Sequence, residues 1–324
     1  MQVDTFKISG SLTIPNYSIN PSVGAWTAGG ALITARYLLA GAGTQNAALA
    51  FGGYTNTEVS CTEEYNGSTW TAGGALITAI YALAGAGTQN AALAFGGSTP
   101  TKVSCTEAYN GTSWTAGGAL ITARGELAGA GTQNAALAFG GVTPANVSCT
   151  EAYNGSTWAT GGALITARYS LAGAGTQNAA LAFGGTNGIT ILSCTEEYNG
   201  STWATGGALI TARYRVAGAG TQNAALAFGG YNGSIPVSCT EAYNGLTWTA
   251  GGALITARHS LAGVGTQTSA LAFGGIQTPN VLQCTEAYNQ YVPQTQGYLW
   301  LDTTTGRLTF TSGSSAATAS ISFT

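Results

Sequence analysis

The chain has 324 residues and a net charge of −3, and only 6% of its residues are charged, against about 25% in ordinary soluble proteins. A weakly acidic chain without a basic patch gives no electrostatic support for nucleic-acid binding, and no segment approaches the about 20 apolar residues of a membrane-spanning helix. We therefore expect neither nucleic acid nor a membrane among its partners.

Residues 1–21 are predicted to form a β-structured N-terminal tail. Apolar and polar residues alternate from Phe6 through Ile8 and Leu12 to Ile14, and this period of two is typical of a strand. The opening residues lack the basic region and the apolar run of a signal peptide. We interpret the tail as an attachment element in which these four apolar residues contact a partner protein.

Residues 22–290 contain one sequence unit that is repeated six times. The phrase Ala-Leu-Ala-Phe-Gly-Gly recurs with a period of 44 or 45 residues. It ends at Gly53, Gly97, Gly141, Gly185, Gly230 and Gly275. A fixed period of about 20–50 residues is typical of solenoids, propellers and arrays, so the repeat decides the architecture.

Each repeat has the pattern of four short antiparallel strands. In the second copy a run of small residues precedes an apolar strand that ends at a Gly-Gly pair, and Asn110-Gly111 joins the last two strands. Asn-Gly favours a two-residue hairpin because both residues accept positive φ. The third strand is predicted to have one face that carries Val103, Cys105, Glu107 and Tyr109.

We predict an all-β fold in which six four-stranded antiparallel blades form a β-propeller. Four strands in each repeat of about 40–50 residues is the propeller pattern, and the Gly and Ala of the first strand suit the crowded axis. Trp26 has no three strands before it, and the last copy, residues 259–288, has no fourth strand after it. We expect the segment around Trp26 to complete the sixth blade, because closure removes exposed strand edges.

The repeat resembles the Kelch motif. The resemblance covers the six repeats and rests on the Gly-Gly pair, on Glu107 and Tyr109 of strand three, on Trp114 of strand four and on Arg124. Two features depart from the usual motif: Tyr and Trp lie only five residues apart, and Ile80 replaces the arginine of the other copies. A galactose-oxidase-like copper site, as in a Kelch enzyme, needs a histidine pair, and this chain has one histidine. We therefore expect no enzyme activity, no metal and no cofactor.

Three kinds of residue in the repeat are predicted to be structural. The six cysteines hold the same place in each copy, too far apart for the ~7 Å Cα limit of a disulfide, and are expected to be free thiols buried in the core. The six strand-three glutamates are expected to pair with an arginine or with backbone N–H groups. His259 takes a position that is Tyr in four copies and is expected to be a surface variant.

The copies differ most after the Gly-Gly pair and after the arginine, and in an up-and-down meander both segments lie on the same face of the disc. Loops on a rigid scaffold commonly carry recognition. Neutral drift of surface loops is the alternative interpretation. The candidate recognition residues are Tyr37, Tyr54, Asn56, Tyr81, Lys102, Asn146, Tyr169, Asn187, Tyr214, Arg215, Tyr231, Asn232, His259, Gln277 and Asn280.

Residues 291–324 are predicted to form a second β-structured tail. The alternation in 306–311 and the small residues of 318–324 indicate strands. Residues 297–306 resemble the Leu-Trp-x-Asp-Thr-Thr-Thr-Gly hairpin common in phage structural proteins. We expect both tails to build one small β module for attachment. Its candidate contact residues in this tail are Tyr298, Trp300, Leu308 and Phe310.

Taken together, the sequence favours a non-enzymatic structural protein of a phage particle. Near-identical propeller repeats rich in Gly, Ala and Thr resemble those in marine phage structural genes. The resemblance implies a tail fibre, head fibre or capsid decoration protein, present in the virion in several copies, that docks on other virion proteins through its tails. The variable face is expected to bind a host surface glycan or protein. Two alternatives stay open: an intracellular Kelch-type interaction module and a free carbohydrate-binding lectin.

Overall fold

The computed structural model describes residues 24–290 together with 297–302, 307–312 and 319–321. In this part of the chain every regular element is a β-strand. Residues 24–290 form one compact unit, and its six four-stranded antiparallel sheets are the six predicted blades. The prediction of an all-β, six-bladed propeller is confirmed.

The blades follow one another along the chain, and each begins at the axis. The strands of this unit are β1 (Ala25–Ala28); β2 (Ala40–Gly43), β3 (Ala48–Phe51), β4 (Thr62–Tyr65) and β5 (Trp70–Ala72) in blade 1; β6 (Ala84–Thr88), β7 (Ala91–Phe95), β8 (Thr106–Tyr109) and β9 (Trp114–Ala116) in blade 2; β10 (Ala128–Thr132), β11 (Ala135–Phe139), β12 (Thr150–Tyr153) and β13 (Trp158–Gly161) in blade 3; β14 (Ala172–Gly175), β15 (Ala180–Phe183), β16 (Thr195–Tyr198) and β17 (Trp203–Gly206) in blade 4; β18 (Ala217–Thr221), β19 (Ala224–Phe228), β20 (Thr240–Tyr243) and β21 (Trp248–Gly251) in blade 5; and β22 (Ala262–Gly265), β23 (Ser269–Phe273) and β26 (Thr285–Asn289) in blade 6, where β24 (Ile276–Gln277) and β25 (Asn280–Val281) form a small loop hairpin.

The first strand of each blade is built from Gly and Ala because neighbouring blades approach it closely. A Cβ on Gly41 would lie 2.6 Å from Phe273 Cζ of blade 6. The equivalent Cβ on Gly85 would lie 2.7 Å from Phe51 Cζ of blade 1. Both phenylalanines are fully buried. A larger residue at the strand-one glycine would therefore push two blades apart.

Each blade is tied to the preceding one by the same three contacts. In blade 2, Trp114 Nε1 donates to Thr62 Oγ1 of blade 1 at 2.9 Å, and the indole packs on Phe51 with ring centroids 5.0 Å apart. Gln89 Nε2 donates to the backbone oxygen of Tyr65 at 2.7 Å. Equivalent residues make these contacts at every blade boundary.

Strand β1 closes the ring as predicted. It pairs antiparallel with β26 and places Trp26 opposite Tyr288, so blade 6 has the strand order β22-β23-β26-β1. Trp26 Nε1 donates to Thr240 Oγ1 of blade 5 at 2.9 Å. On the other side, Gln45 Nε2 of blade 1 donates to the backbone oxygen of Tyr288 at 2.6 Å. The circuit of contacts between blades is therefore complete.

Strand three differs from its prediction. Strand β8 begins at Thr106, so Val103 and Cys105 precede it, and the adjacent Thr106 and Glu107 are both buried. Val103, Cys105 and Tyr109 do pack against one hydrophobic cluster, as predicted, but the strand is not half-buried, because neighbouring blades cover both faces of each sheet. The six cysteines are free, as predicted, but they are half-buried rather than buried, since each lies where a variable loop enters the sheet.

Buried ion pairs hold strand three to the link from strand four in five blades. In blade 3 the fully buried Arg124 pairs with Glu151, and the carboxylate also accepts the backbone N–H groups of Ile121 and Thr122 at 2.7 and 3.2 Å. A buried ion pair needs such additional hydrogen bonds to offset the loss of hydration. The other pairs are Arg36–Glu63, Arg168–Glu196, Arg213–Glu241 and Arg258–Glu286.

Blade 2 lacks the cation of this pair. Ile80 occupies the arginine position, and the carboxylate of Glu107 is bonded within residues 24–290 to the backbone N–H groups of Ile77 and Thr78, at 2.8 and 3.0 Å. Burial, together with the Glu107 carboxylate, raises the pKa of the adjacent Cys105 thiol to about 11. Both predicted forms of glutamate stabilisation therefore occur, and blade 2 uses the backbone form alone.

The C-terminal strands are described as a separate antiparallel sheet. It contains β27 (Gly297–Asp302), β28 (Arg307–Ser312) and β29 (Ala319–Ile321), in that order. Trp300 lies opposite Thr309, so the predicted hairpin is present, with Tyr298 on β27 and with Leu308 and Phe310 on β28. The predicted N-terminal contact residues, Phe6, Ile8, Leu12 and Ile14, lie outside the described residues.

Candidate recognition face

The variable segments of all six repeats meet on one face of the propeller, here called the variable face. In blade 1, Tyr37 N donates to Tyr54 O at 3.1 Å, and Tyr54 N donates back to Tyr37 O at 2.8 Å. The same backbone pair joins the link and the loop in every blade. The nearly constant turns lie on the opposite face, where Gly67 packs beside Asn46. The loops are thus positioned by backbone hydrogen bonds, which do not involve the side chains that differ between copies.

A closed ring of hydrogen bonds surrounds the axis on the variable face. Each of its six residues donates its backbone N–H to the carbonyl of its equivalent in the preceding blade, at 2.7–3.0 Å. All six have φ between 52° and 55°, a conformation uncommon for residues other than Gly. This axial ring consists of Leu38, Ala82, Glu126, Ser170, Arg215 and Ser260. Its backbone is fixed by the closed circuit, whereas its side chains differ in size and charge.

An apolar layer narrows the axial channel below this ring. Its members directly follow the axial-ring residues, and each is 6% exposed. They are Leu39, Leu83, Leu127, Leu171, Val216 and Leu261. The two layers enclose a cavity of about 80 Å³. The variable face therefore has a small cup at its centre with an apolar floor.

Aromatic side chains gather on one side of the cup. In blades 5 and 6, Tyr231 lies edge-on between Tyr214 and His259, with ring centroids 5.7 and 5.2 Å away. The matching set in blades 1 and 2 is Tyr37, Tyr54 and Tyr81, with separations of 5.7 and 5.2 Å. Because blades 6 and 1 are neighbours in the closed ring, the two sets form one aromatic arc over four blades.

A pocket of about 320 Å³ lies between the two aromatic sets. It is lined by Tyr37, Tyr214, Arg215, Tyr231, His259, Ile276 and Thr278. This volume lies at the lower end of the about 300–1,000 Å³ found for small-molecule sites. Across the ring, the equivalent positions of blades 3 and 4 hold one aromatic residue, Tyr169, beside Gly125, Val142 and Thr186. The concave, aromatic part of the variable face therefore belongs to blades 5, 6, 1 and 2.

His259 is buried, and its prediction as a surface variant is wrong. The residue is 5% exposed, because Tyr231 covers one side of the ring and Nδ1 lies 3.0 Å from Ser260 Oγ. Burial, and after it the positive charge of Arg215, lowers the pKa of His259 to about 4. Burial and the neighbouring Tyr54 raise the pKa of Tyr37. At pH 7 the arc therefore consists of neutral rings beside one guanidinium.

The propeller should lose stability between pH 7 and pH 4 because of His259. An unfolded histidine takes up a proton near pH 6.5, whereas the folded one does so near pH 4, so in this window the unfolded state binds more protons. The free energy of unfolding therefore decreases as the pH is lowered, by at most about 1.4 kcal/mol per pH unit. Urea denaturation across this range measures the slope. His259→Tyr, the residue of four other copies, should reduce it, and an unchanged slope in that variant would assign the effect to other groups.

Several polar candidates use their side chains to hold the loops, although all of them are half-exposed or exposed. Lys102 Nζ donates to Ser98 Oγ at 3.1 Å, and Asn146 Nδ2 donates to the backbone oxygen of Asn187. The side-chain oxygens of Asn187 and Asn232 accept backbone N–H groups within their own turns. The remaining candidates away from the aromatic sets are also exposed or half-exposed; they are Asn56, Tyr169, Gln277 and Asn280.

Two parts of the face were missed by sequence reasoning. Of the axial ring only Arg215 was a candidate, although the unequal chemistry of this position across the copies was a usable signal. The second part is an isoleucine in each link, 59–63% exposed. These are Ile33, Ile77, Ile121, Ile165, Ile210 and Ile255. Single exposed apolar residues are ordinary, but six at equivalent positions give the variable face an apolar outer zone.

Within the described residues, no three His, Cys, Asp or Glu side chains lie close enough together to hold a metal ion. No helix long and apolar enough to cross a membrane occurs in the same part of the chain. No protein-family model matches the sequence, and a comparison with curated proteins gives no significant match. The structure alone therefore classifies the chain, as a closed β-propeller with six four-stranded blades.

Proposed function

We propose that the chain is a non-enzymatic structural component of a phage particle that presents its variable face to the host surface. The observation that carries this proposal is the position of the two ends of the propeller. Ala25, at the start of β1, pairs with Asn289, at the end of β26, and Gln290 N donates to Thr268 O of a turn on the constant face. The two ends of the propeller, residues 25 and 289, therefore lie side by side, on the face opposite the variable one.

Such an arrangement suits a protein anchored through its tails. An anchor that uses both ends holds a rigid disc at one edge and leaves the variable face unobstructed. The low charge of the chain, 6% of residues, suits packing among other virion proteins better than free movement in a crowded cytosol. The phage-like hairpin of residues 297–306 and the near-identical repeats rich in Gly, Ala and Thr support the same assignment.

The variable face is proposed to bind a saccharide of the host surface. Its pocket combines aromatic rings with hydroxyl and imidazole groups, so a sugar ring could lie against Tyr214 or Tyr231 while its hydroxyl groups are hydrogen-bonded. Aromatic side chains with a polar tip serve surfaces that are partly apolar and partly wet. The Kelch-type adaptor and the free lectin remain the alternative functions, and neither gives the paired tails a role.

The test is incorporation into virus particles. Mass spectrometry of particles purified from the virus that encodes the chain should find it in a fixed ratio to other structural proteins. The double variant Trp300→Ser, Phe310→Ser, with both changes in the C-terminal hairpin, should lose incorporation. The control variant Tyr231→Ser, on the variable face, should be incorporated normally. Absence of the unmodified chain from purified particles would overturn the proposal.

A further inference from the structure

One arginine of the propeller differs from the other five in its surroundings. Arg36, Arg124, Arg168, Arg213 and Arg258 are fully buried and each is paired with a glutamate. Arg215 lies in the axial ring on the variable face, and within residues 24–290 it has no carboxylate within ion-pair distance. Its Nε is buried without a hydrogen-bond partner there, as is the Nε of each of the other five, so the missing carboxylate is what sets Arg215 apart. Within residues 24–290 the positive charge of Arg215 is thus not neutralised by an ion pair.

The surroundings of Arg215 make its charge available to a ligand. The guanidinium carbon lies 5.6 Å from the centroid of the Tyr214 ring, and the residue lines the 320 Å³ pocket, whose other lining residues include no Asp or Glu. The carboxylate of the axial ring, Glu126, belongs to blade 3, two blades away, and accepts the hydroxyl of Ser170. His259 is uncharged at pH 7. Arg215 is therefore the one charged residue that lines the 320 Å³ pocket, whereas Glu126 shares with it only the 80 Å³ axial cavity.

This chemistry selects an anionic group beside an apolar ring. A guanidinium is planar, stays charged at every physiological pH and can bind a carboxylate or sulfate through two parallel hydrogen bonds. Tyr231 stands next to it and offers an aromatic surface to the carbon atoms of a sugar ring. A neutral ligand in this pocket would remove water from the Arg215 guanidinium without supplying an opposite charge. Such desolvation of a charged group is unfavourable.

We infer that the pocket is a subsite for an anionic saccharide, with Arg215 bound to a carboxylate or sulfate group and with Tyr214 and Tyr231 against the sugar ring. The inference rests on the proposed function, because it names the class of saccharide that the variable face selects. It also explains why the sixth arginine has no internal carboxylate partner. Such a partner would neutralise the charge that the ligand requires.

The test is an array of immobilised uronate, sialylated, sulfated and neutral polysaccharides, probed with the full chain. The unmodified protein should bind acidic members more strongly than neutral ones, and added salt should weaken this binding. Arg215→Met should lower binding to acidic members about ten- to a hundredfold. The control Lys102→Met makes the same charge change on the same face and should leave binding intact. Carboxyl-reduced and desulfated versions of the bound polysaccharide identify which anion is recognised.

The outcomes separate this inference from the proposed function. Preference for neutral saccharides, or acidic binding that Arg215→Met does not reduce, would overturn the anionic subsite and leave the proposed function standing. No binding to any saccharide would remove both the subsite and the saccharide-binding role. The melting temperature of Arg215→Met should equal that of the unmodified protein. A large drop would show that Arg215 is a structural residue and would also overturn the inference.

Discussion

Replacing Glu151 by glutamine should lower the free energy of unfolding by about 3–5 kcal/mol, whereas the same change at Glu107 should cost about 1 kcal/mol. Glu151 neutralises Arg124, which is 0% exposed, so the variant leaves a guanidinium buried without a counter-charge. Glu107 has Ile80 in place of that arginine and is bonded to two backbone N–H groups. A glutamine there keeps one acceptor for them. Urea denaturation of both variants at pH 7 measures the difference.

The two glutamates form a matched pair because their strands have the same sequence, Thr-Glu-Ala-Tyr. Any general cost of the substitution, such as altered packing of strand three, is therefore common to both variants. Equal losses of stability would show that Arg124 does not depend on Glu151. A larger loss at Glu107 would contradict the assignment of blade 2 as the blade without a cation.

Replacing Trp26 by alanine should cost about 3–5 kcal/mol, the usual effect of truncating a buried aromatic residue. The indole is 6% exposed, packs 4.9 Å from the Phe228 ring and donates to Thr240. It is the side chain through which β1 joins blades 5 and 6. The loss should appear as a lower midpoint in urea and as faster proteolysis between residues 24 and 30.

Thr27→Ala is the control for this prediction. Thr27 lies on the same strand, is exposed and makes one long hydrogen bond, 3.3 Å, to the backbone of Ala287. Its loss should stay within about 0.5 kcal/mol, as for surface substitutions generally. If Trp26→Ala and Thr27→Ala unfold at the same midpoint, β1 does not close the ring in solution.

The architecture could be predicted because the order of the motifs shows where each repeat begins and ends. A surplus Trp26 at the start and a missing fourth strand after Tyr288 leave one arrangement that completes six blades. Burial was harder to predict, since it depends on neighbouring blades. His259 is enclosed by Tyr231 of blade 5, which lies nearly thirty residues away in the sequence, and the cysteines lie at the loop entrances. A single repeat read alone contains neither fact.

The candidate recognition site could be predicted as a face but not as a pocket. Variation between copies pointed to Tyr214, Arg215 and Tyr231, and the structure brings these residues together. The axial ring could not be predicted from the sequence, because its hydrogen bonds form only when the six blades close into a ring. The sequence also could not show that Arg215 has no carboxylate partner. This is seen only by comparison with arginines such as Arg213, whose partners lie in another strand.

The central proposal is that the tails anchor the propeller to a phage particle while the variable face points away from that particle. Cryo-electron microscopy of the virus particle tests it most directly. The map should show a six-bladed disc joined to the particle near Ala25 and Asn289, with the axial ring and Arg215 directed away from the particle. A disc whose variable face is buried against another virion protein would contradict the claim.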